Sequence, residues 1–317
     1  MGYSLIGKKG GSPMSHKNRD WSKYNKSLVN RGNIFLWVSP EVLTAWRAKK
    51  KKHKLGRPFK FSDTAITTAL TLRYVFNLSL RACQGFLGAL FKMLKIELDI
   101  PCYTQICKRM KKIELPRHFL EKKKIEHIVI DCTGLKVFGE GEWKVKKHGV
   151  GKHRTWKKLH LAVDEKTQEI IFADLSSEYV HDTKFVPEIM EHRKGLKRVL
   201  MDGIADSGSL YRQAIESGVD LLTPPQKNAR KRKEPWFQTR NKRILEIQGL
   251  GGDQLARSIW AKLTGYNRRV TVESAIARWK RLFGQFLKSR TWENQRLEVS
   301  LKSLIMNEIK KHDQAVA

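Results

Sequence analysis

His127-Ile128-Val129-Ile130-Asp131 is the point at which the chain changes character. A short β-branched run bounded by polar residues has the composition of a buried strand, and this one ends in an acid. Downstream, Leu159 to Val163 and Glu169 to Leu175 are two more strand candidates. Asp164-Glu165-Lys166-Thr167-Gln168 between them is a polar turn, which makes the pair a hairpin. Asp182 is placed to cap a helix carrying Phe185, Ile189 and Met190. Arg198-Val199-Leu200-Met201 is a further apolar run, and it too ends in an acid, Asp202. A helix near Ser209 to Ser217 closes on Gly218, and a strand from Val219 to Thr223 is stopped by Pro224-Pro225. Residues 226–262 are polar, basic and irregular in pattern, and from about Tyr266 the sequence is strongly helical. Strand, hairpin, helix, strand, helix, strand, helix is the order of a mixed α/β layer architecture.

Upstream of His127 the pattern is helical. Residues 1–19 are rich in Gly, Lys and Ser and are expected to fray. Ser39 and Pro40 have the chemistry of an N-cap and a first helical position. Lys49 to Lys54 is a basic run, either a solvated linker or an arm that contacts phosphate. Ser62 caps a predicted helix carrying Ile66, Ala69, Leu70, Leu72 and Val75, and a second runs from about Ser79 to Leu94. Pro101 then breaks the chain. A short helix over 103–112 would turn Ile106 and Met110 inward and Lys108, Arg109, Lys111 and Lys112 outward. Helix, turn and short basic helix is the pattern of a DNA-binding helix-turn-helix, and a helical bundle with one basic face gives the same pattern. The divisions expected are a flexible N-terminus (1–19), a helical region (20–124), an α/β domain (125–310) with a basic insertion near 226–262, and a tail (311–317).

Charge narrows the function. Of 317 residues, 63 are Lys or Arg and 31 are Asp or Glu, a formal charge of +32. With 40% hydrophobic residues the chain has material for a packed core. Such an excess of cations calls for a polyanionic partner, nucleic acid first and an anionic membrane surface second. No apolar run approaches the ~20 residues of a spanning helix, so nucleic acid is the expected partner and a membrane is not. Met1 to Ser12 lacks the apolar core of a secretory signal. Cys83, Cys102, Cys107 and Cys132 form no zinc-type spacing, which fits reduced thiols in the cytoplasm.

Three carboxylates stand against this basic background. If the strands that end in Asp131 and Asp202 are adjacent and parallel, both acids emerge at one carboxyl edge, ~4.8 Å apart across the ladder. Two carboxylates so placed suit hard divalent cations in phosphoryl transfer. An Asp after a strand is also an ordinary turn residue. The third acid is Glu273, in Tyr266-Asn267-Arg268-Arg269-Val270-Thr271-Val272-Glu273. On an ideal helix at about 100° per residue, Tyr266, Arg269, Glu273 and Lys280 share a wedge of roughly 60°, beside an apolar stripe of Val272, Ala275, Ile276 and Trp279. Arg and Lys there would take phosphate, and Glu would complete a metal site. A plain surface helix with an Arg269–Glu273 pair at i,i+4 has the same spacing.

On these residues the sequence resembles the DDE transposases of bacterial insertion sequences, the IS four and IS five group. The likeness spans about Asp20 to Ile309. That family's signature is Tyr, two residues, Arg, three residues, Glu, six residues, Lys or Arg, and Tyr266, Arg269, Glu273 and Lys280 match each spacing. Asp131-Cys132-Thr133-Gly134-Leu135-Lys136-Val137 resembles its first-acid motif, and Lys157 to Asp164 its second strand. Asp202-Gly203-Ile204-Ala205-Asp206 resembles the second-acid motif but has Ala205 where an aromatic is common.

The resemblance implies an α/β, ribonuclease H-like catalytic domain preceded by a helical, DNA-binding region. It implies a transposase that binds the terminal inverted repeats of its element, nicks DNA with water and joins the 3′-OH to target DNA. Asp131, Asp202 and Glu273 would hold two Mg2+ ions, with Mn2+ able to substitute. Tyr266, Arg269 and Lys280 would contact phosphates, the partner would be double-stranded DNA, as transposon ends and target DNA, and a homodimer on DNA in the bacterial cytoplasm, at the nucleoid, is expected. A decayed or non-catalytic DNA-binding protein, or a ribonuclease H-like nuclease with another substrate, are the alternatives.

Overall fold

The computed structural model describes residues 20–30, 32–49, 58–120, 124–137 and 156–316. The N-terminal segment 1–19 and the basic run from Lys50 to Lys54 lie outside the described residues.

A mixed sheet forms the centre. Its strands are β1 (His127–Val137), β2 (Trp156–Asp164), β3 (Ile170–Ser177), β4 (Arg198–Leu200) and β5 (Asp220–Leu222), in spatial order β3-β2-β1-β4-β5. The first three are antiparallel and the last two join parallel to β1. That topology is the ribonuclease H-like sheet, as expected. A two-residue strand, β6 (Phe286–Leu287), pairs with the far end of β1 at Lys136 and Val137. The hairpin turn falls where the sequence put it: the Asp164 carboxylate accepts the N–H groups of Lys166 and Thr167, both at 3.2 Å.

β1 is longer than its apolar run. It continues through Asp131 to Val137, so Asp131 lies within the strand and not at its end. The cause is pairing: β2 accompanies β1 as far as Lys136↔Trp156, which holds a Thr-Gly-Leu-Lys stretch in extended form that composition alone did not mark.

Two apolar layers cover the sheet. Val129, Leu200, Leu159 and Leu161 point to one, together with Val272, Ala275 and Trp279. Ile128, Ile130, Val199 and Leu221 point to the other, together with Val186, Ile189 and Leu210. This is the period-two alternation of a strand buried on both faces. The helices of the first layer are α3 (Asp63–Val75), α4 (Leu80–Met93), α5 (Tyr103–Met110), α10 (Val270–Phe283) and the long α11 (Trp292–Val316), with α1 (Trp21–Asn30) and α2 (Pro40–Thr44) packed outside. Those of the second are α6 (Val186–His192) and α7 (Gly208–Glu216). Ser39 and Ser62 cap α2 and α3 as expected, and Ser79 caps α4. Asp182 does not cap α6; its carboxylate accepts Lys158 at 2.8 Å instead. α11 runs through the segment expected to be a tail, and Asn307 on it completes the hydrogen bonds of Ile170 on β3.

Two expectations upstream and downstream need correction. Arg109 on α5 is buried, not outward: its guanidinium donates to the Phe61 carbonyl at 2.8 Å, pairs with Asp63, and lies 3.9 Å from the Phe59 ring. Lys108, Lys111 and Lys112 are exposed. The stretch 226–262 is not irregular throughout. It carries α8 (Gln238–Gly249) and α9 (Gln254–Thr264), whose buried faces mix Arg240 and Arg243 with Ile244, Ile247, Ala256 and Trp260, so that two charged residues interrupt the apolar stripe.

Candidate active site

The site follows from strand parity. Asp131 comes two residues after Val129, and Asp202 two residues after Leu200, so each acid shares the face of the apolar residue before it. Val129 and Leu200 are themselves register partners in the β1–β4 ladder. Both acids are therefore directed to the face that α10 covers. On that face α10 is seated by Val272, Ala275 and Trp279, all fully buried.

The last turn before α10 differs from the ideal helix of the sequence reading. Tyr266–Arg269 is a 3-10 turn that opens on Gly265, whose φ of +77° a side chain would strain. α10 begins only at Val270. The arrangement still brings Arg269 and Glu273 together: the Arg269 guanidinium pairs with the Glu273 carboxylate one turn on, and its other amino group donates to Asp131 at 3.4 Å. Arg268 reaches Glu165 in the hairpin turn at 2.8 Å, and Arg278 reaches Gln168 at 2.9 Å, which fastens α10 to the sheet at two points.

Each acid is also held from its own strand. Asp131 accepts the N–H of Cys132 at 2.9 Å, and Asp202 accepts the N–H of Ile204 at 3.3 Å. Burial raises the Asp131 carboxyl above its ordinary pKa; the Cys132 N–H and Arg269 oppose the shift, while Asp202 and Glu273 add to it. Burial likewise raises Asp202, opposed by the Ile204 N–H and Arg269. The three acids thus share one electrostatic site around Arg269. Tyr266 lies in the same field, and burial pushes its hydroxyl up to about 12, so it stays protonated at neutral pH and can donate a hydrogen bond. Lys280 is half-buried in the last turn of α10, two helical turns beyond Glu273.

Sequence reasoning missed a second set of groups at this edge. Lys158 on β2 donates to the Val180 carbonyl and the Asp182 carboxylate, both at 2.8 Å, and Cys132 and His160 meet at 2.9 Å beside them. Asp182 raises and His181 lowers the pKa of Asp202, so the 180–182 segment borders the site. Parity of β2 with β1 was the signal available: His160 is the register partner of Cys132, next to the first acid.

The sequence matches the Transposase DDE domain over residues 29–140, and a second Transposase DDE domain family over residues 122–307, more than half of the chain. The chain belongs to the DDE transposases. Among solved structures, the piggyBac transposase synaptic complex with hairpin DNA is 11% identical, covers 92% of this chain and 79% of its own, and gives a TM-score of 0.41. The Drosophila P element transposase strand transfer complex is 14% identical, covers 54% of this chain and 43% of its own, and gives a TM-score of 0.29. A DDE transposase is a polynucleotidyl transferase that acts on DNA with divalent metal ions. No helix among the described residues is long and apolar enough to cross a membrane.

The donor chemistry fits such an ion. Two carboxylates paired to one guanidinium and a third within its field, two of the three with raised pKa values, form a hard oxygen set short of positive charge. Among the described residues no three acids lie close enough to hold an ion together, and Arg269 bonds both Asp131 and Glu273.

Proposed function

We propose that this transposase binds the terminal inverted repeats of its own insertion sequence and carries out strand cleavage and strand transfer with Asp131, Asp202 and Glu273 as ligands of two Mg2+ ions. The single observation that carries the reading is the parity of Val129–Asp131 and Leu200–Asp202, which turns both acids toward Glu273 on α10. The bound cations would polarise the scissile phosphate and lower the pKa of the attacking oxygen.

The chain's own groups supply the rest. Three carboxylates on three elements provide the negative charge that holds the cations. With Asp131 and Glu273 holding a cation, Arg269 would be available to a phosphate oxygen. Tyr266 donates through a hydroxyl that stays protonated, and Lys280 meets the backbone two turns farther along α10. Lys108, Lys111 and Lys112 on the exposed side of α5 are candidates for contact with the repeats, and Arg109 is not. The protein would act as a homodimer that brings two ends together, in the bacterial cytoplasm at the nucleoid.

The test compares Asp131→Asn, Asp202→Asn and Glu273→Gln with Asp164→Asn, whose carboxylate only closes the hairpin turn. Cleavage of DNA carrying the element's ends should fall by orders of magnitude in the first three and stay near wild type in the fourth, while all four bind the DNA. Retained cleavage by any of the first three, with folding intact, would remove that acid from the site.

A further inference from the structure

We propose that residues 227–233 are a preformed phosphate-binding ledge for the DNA that enters the site; this rests on the reading above that the scissile phosphate lies at Asp202. The segment is Lys227-Asn228-Ala229-Arg230-Lys231-Arg232-Lys233, with five cations in seven residues and all five exposed. It is neither helix nor strand. An unstructured basic linker would have its backbone solvated; this one is pinned by side chains of the two helices that follow it.

Asn241 on α8 clasps Arg232 from both sides, accepting its N–H at 3.0 Å and donating to its carbonyl at 2.6 Å. Arg240 donates to the Arg230 carbonyl at 2.9 Å. Arg257 on α9 donates to the carbonyls of Pro225 at 2.7 Å and Gln226 at 3.1 Å. These bonds all go to backbone, so they fix the path of the loop and leave the side chains of Lys227, Arg230, Lys231 and Lys233 to solvent.

The ledge is also keyed to the second acid. Arg240 is buried and pairs at 2.6 Å with the buried carboxylate of Asp206, which in turn accepts the N–H of Gln226 at 3.1 Å. Asp206 lies one short turn beyond Asp202. The Thr223 hydroxyl donates to the Asp202 carbonyl at 2.5 Å, where the loop departs from β5. From Thr223 to Lys227 the backbone spans at most ~14 Å. Duplex DNA carries one charge per ~1.7 Å, so a helix with its scissile phosphate at Asp202 meets the ledge within about one turn. Five like charges carried on a backbone of fixed path repel one another, and a polyanion relieves that repulsion. A backbone fixed beforehand also lowers the ordering cost of binding.

The experiment measures affinity for duplex DNA carrying the element's end, without metal, from 50 to 200 mM salt. One variant of the full chain combines Arg230→Gln, Lys231→Gln and Lys233→Gln. A control combines Lys166→Gln, Lys194→Gln and Lys197→Gln, equal in charge but at the sheet end where β1 and β4 begin. Each phosphate contact contributes ~0.9 to the slope of log K against log salt. The ledge variant should lose up to ~2.7 of that slope, so that wild type loses up to about 40-fold more affinity than the variant over the same salt range. The control should keep the wild-type slope.

Asn241→Ala, which frees the backbone and keeps the charges, should weaken binding severalfold at unchanged slope. Equal slopes in ledge variant and wild type, or equal losses in ledge variant and control, would overturn the proposal. Because no metal is present, failure of the acids as metal ligands shows only in the cleavage assay and leaves this reading separate.

Discussion

The guanidinium of Arg269 lies 3.4 Å from the carboxylate of Asp131, across 138 residues of sequence, while its other amino group pairs with Glu273. One cation thus serves two acids. In the proposed metal site a divalent ion would neutralise the same charges. Arg269→Gln leaves the carboxylates without that counter-charge, and a metal ion then gains more by binding. Added Mg2+ should raise the melting temperature of Arg269→Gln by more than it raises that of wild type, even as the variant loses cleavage. An equal or smaller shift would show that the guanidinium does not stand in for the ion.

Arg109 should matter for folding and not for recognition. Its guanidinium bonds to the Phe61 carbonyl and Asp63 while packed on Phe59, so it ties α5 to the start of α3. Arg109→Ala leaves that carbonyl unsatisfied and opens a gap, at a cost of about 1–3 kcal/mol. Chemical denaturation should register the loss, and the affinity of the folded variant for DNA should equal that of wild type. Weakened DNA binding with unchanged stability would return Arg109 to the interface.

These two arginines mark what was legible in the sequence. The order of strands and helices along the chain, the hairpin turn and the caps at Ser39 and Ser62 rest on local patterns, namely period-two alternation, turn chemistry and cap chemistry. The pairing of Asp131 with Asp202 needed the adjacency of β1 and β4, and the addition of Glu273 came from the family resemblance. The place of Arg109 could not be read locally, because a helical wheel ranks side chains by type, and Arg109 is buried by a carbonyl 48 residues away. The length of β1 and the helices of 226–262 failed for the same reason. Thr133 to Lys136 is extended because β2 pairs with it, and α8 is anchored by Arg240 and Arg243, which bond to Asp206 and Asp220. Tertiary partners, not local propensity, decide such segments.

The pair Glu298–Lys302 on α11 is wholly buried, with side chains 0% and 1% exposed. Glu298 also accepts the N–H groups of Lys288 at 3.0 Å and Ser289 at 2.9 Å, and Lys302 lies over the rings of Trp279, Tyr74 and Phe283. The pair thereby joins the chain beyond β6 to the helix that carries Glu273. Glu298→Gln strands a buried ammonium and should cost about 3–5 kcal/mol, whereas Glu298→Gln combined with Lys302→Met should cost less than the first change alone. A double-mutant cycle in urea gives the coupling, and additive losses would mean that the two charges do not depend on each other.

His160 predicts how stability responds to acid. It is almost fully buried on β2, bonded at Nδ1 to the Cys132 thiol and at Nε2 to the Ser176 hydroxyl at 2.7 Å, with the Phe185 ring 4.8 Å away. Burial pushes its pKa down from 6.5 to about 4, against the opposing pull of Asp182 and Asp174 and aided by Lys158. Between those two values the unfolded chain binds a proton that the folded chain refuses. Stability therefore rises with pH across this window and is lost as pH falls through it, by on the order of 3 kcal/mol in full. Asp131 and Asp202 act in the opposite sense, because their raised carboxyls protonate first in the folded state. Comparison with His160→Gln isolates the imidazole, since the variant keeps both acids and can still bond to Ser176. Thermal melts between pH 7 and pH 4 should show wild type losing stability more steeply than His160→Gln. Parallel curves would mean that the imidazole accepts its proton inside the folded protein and that the Cys132–His160–Ser176 contact survives it.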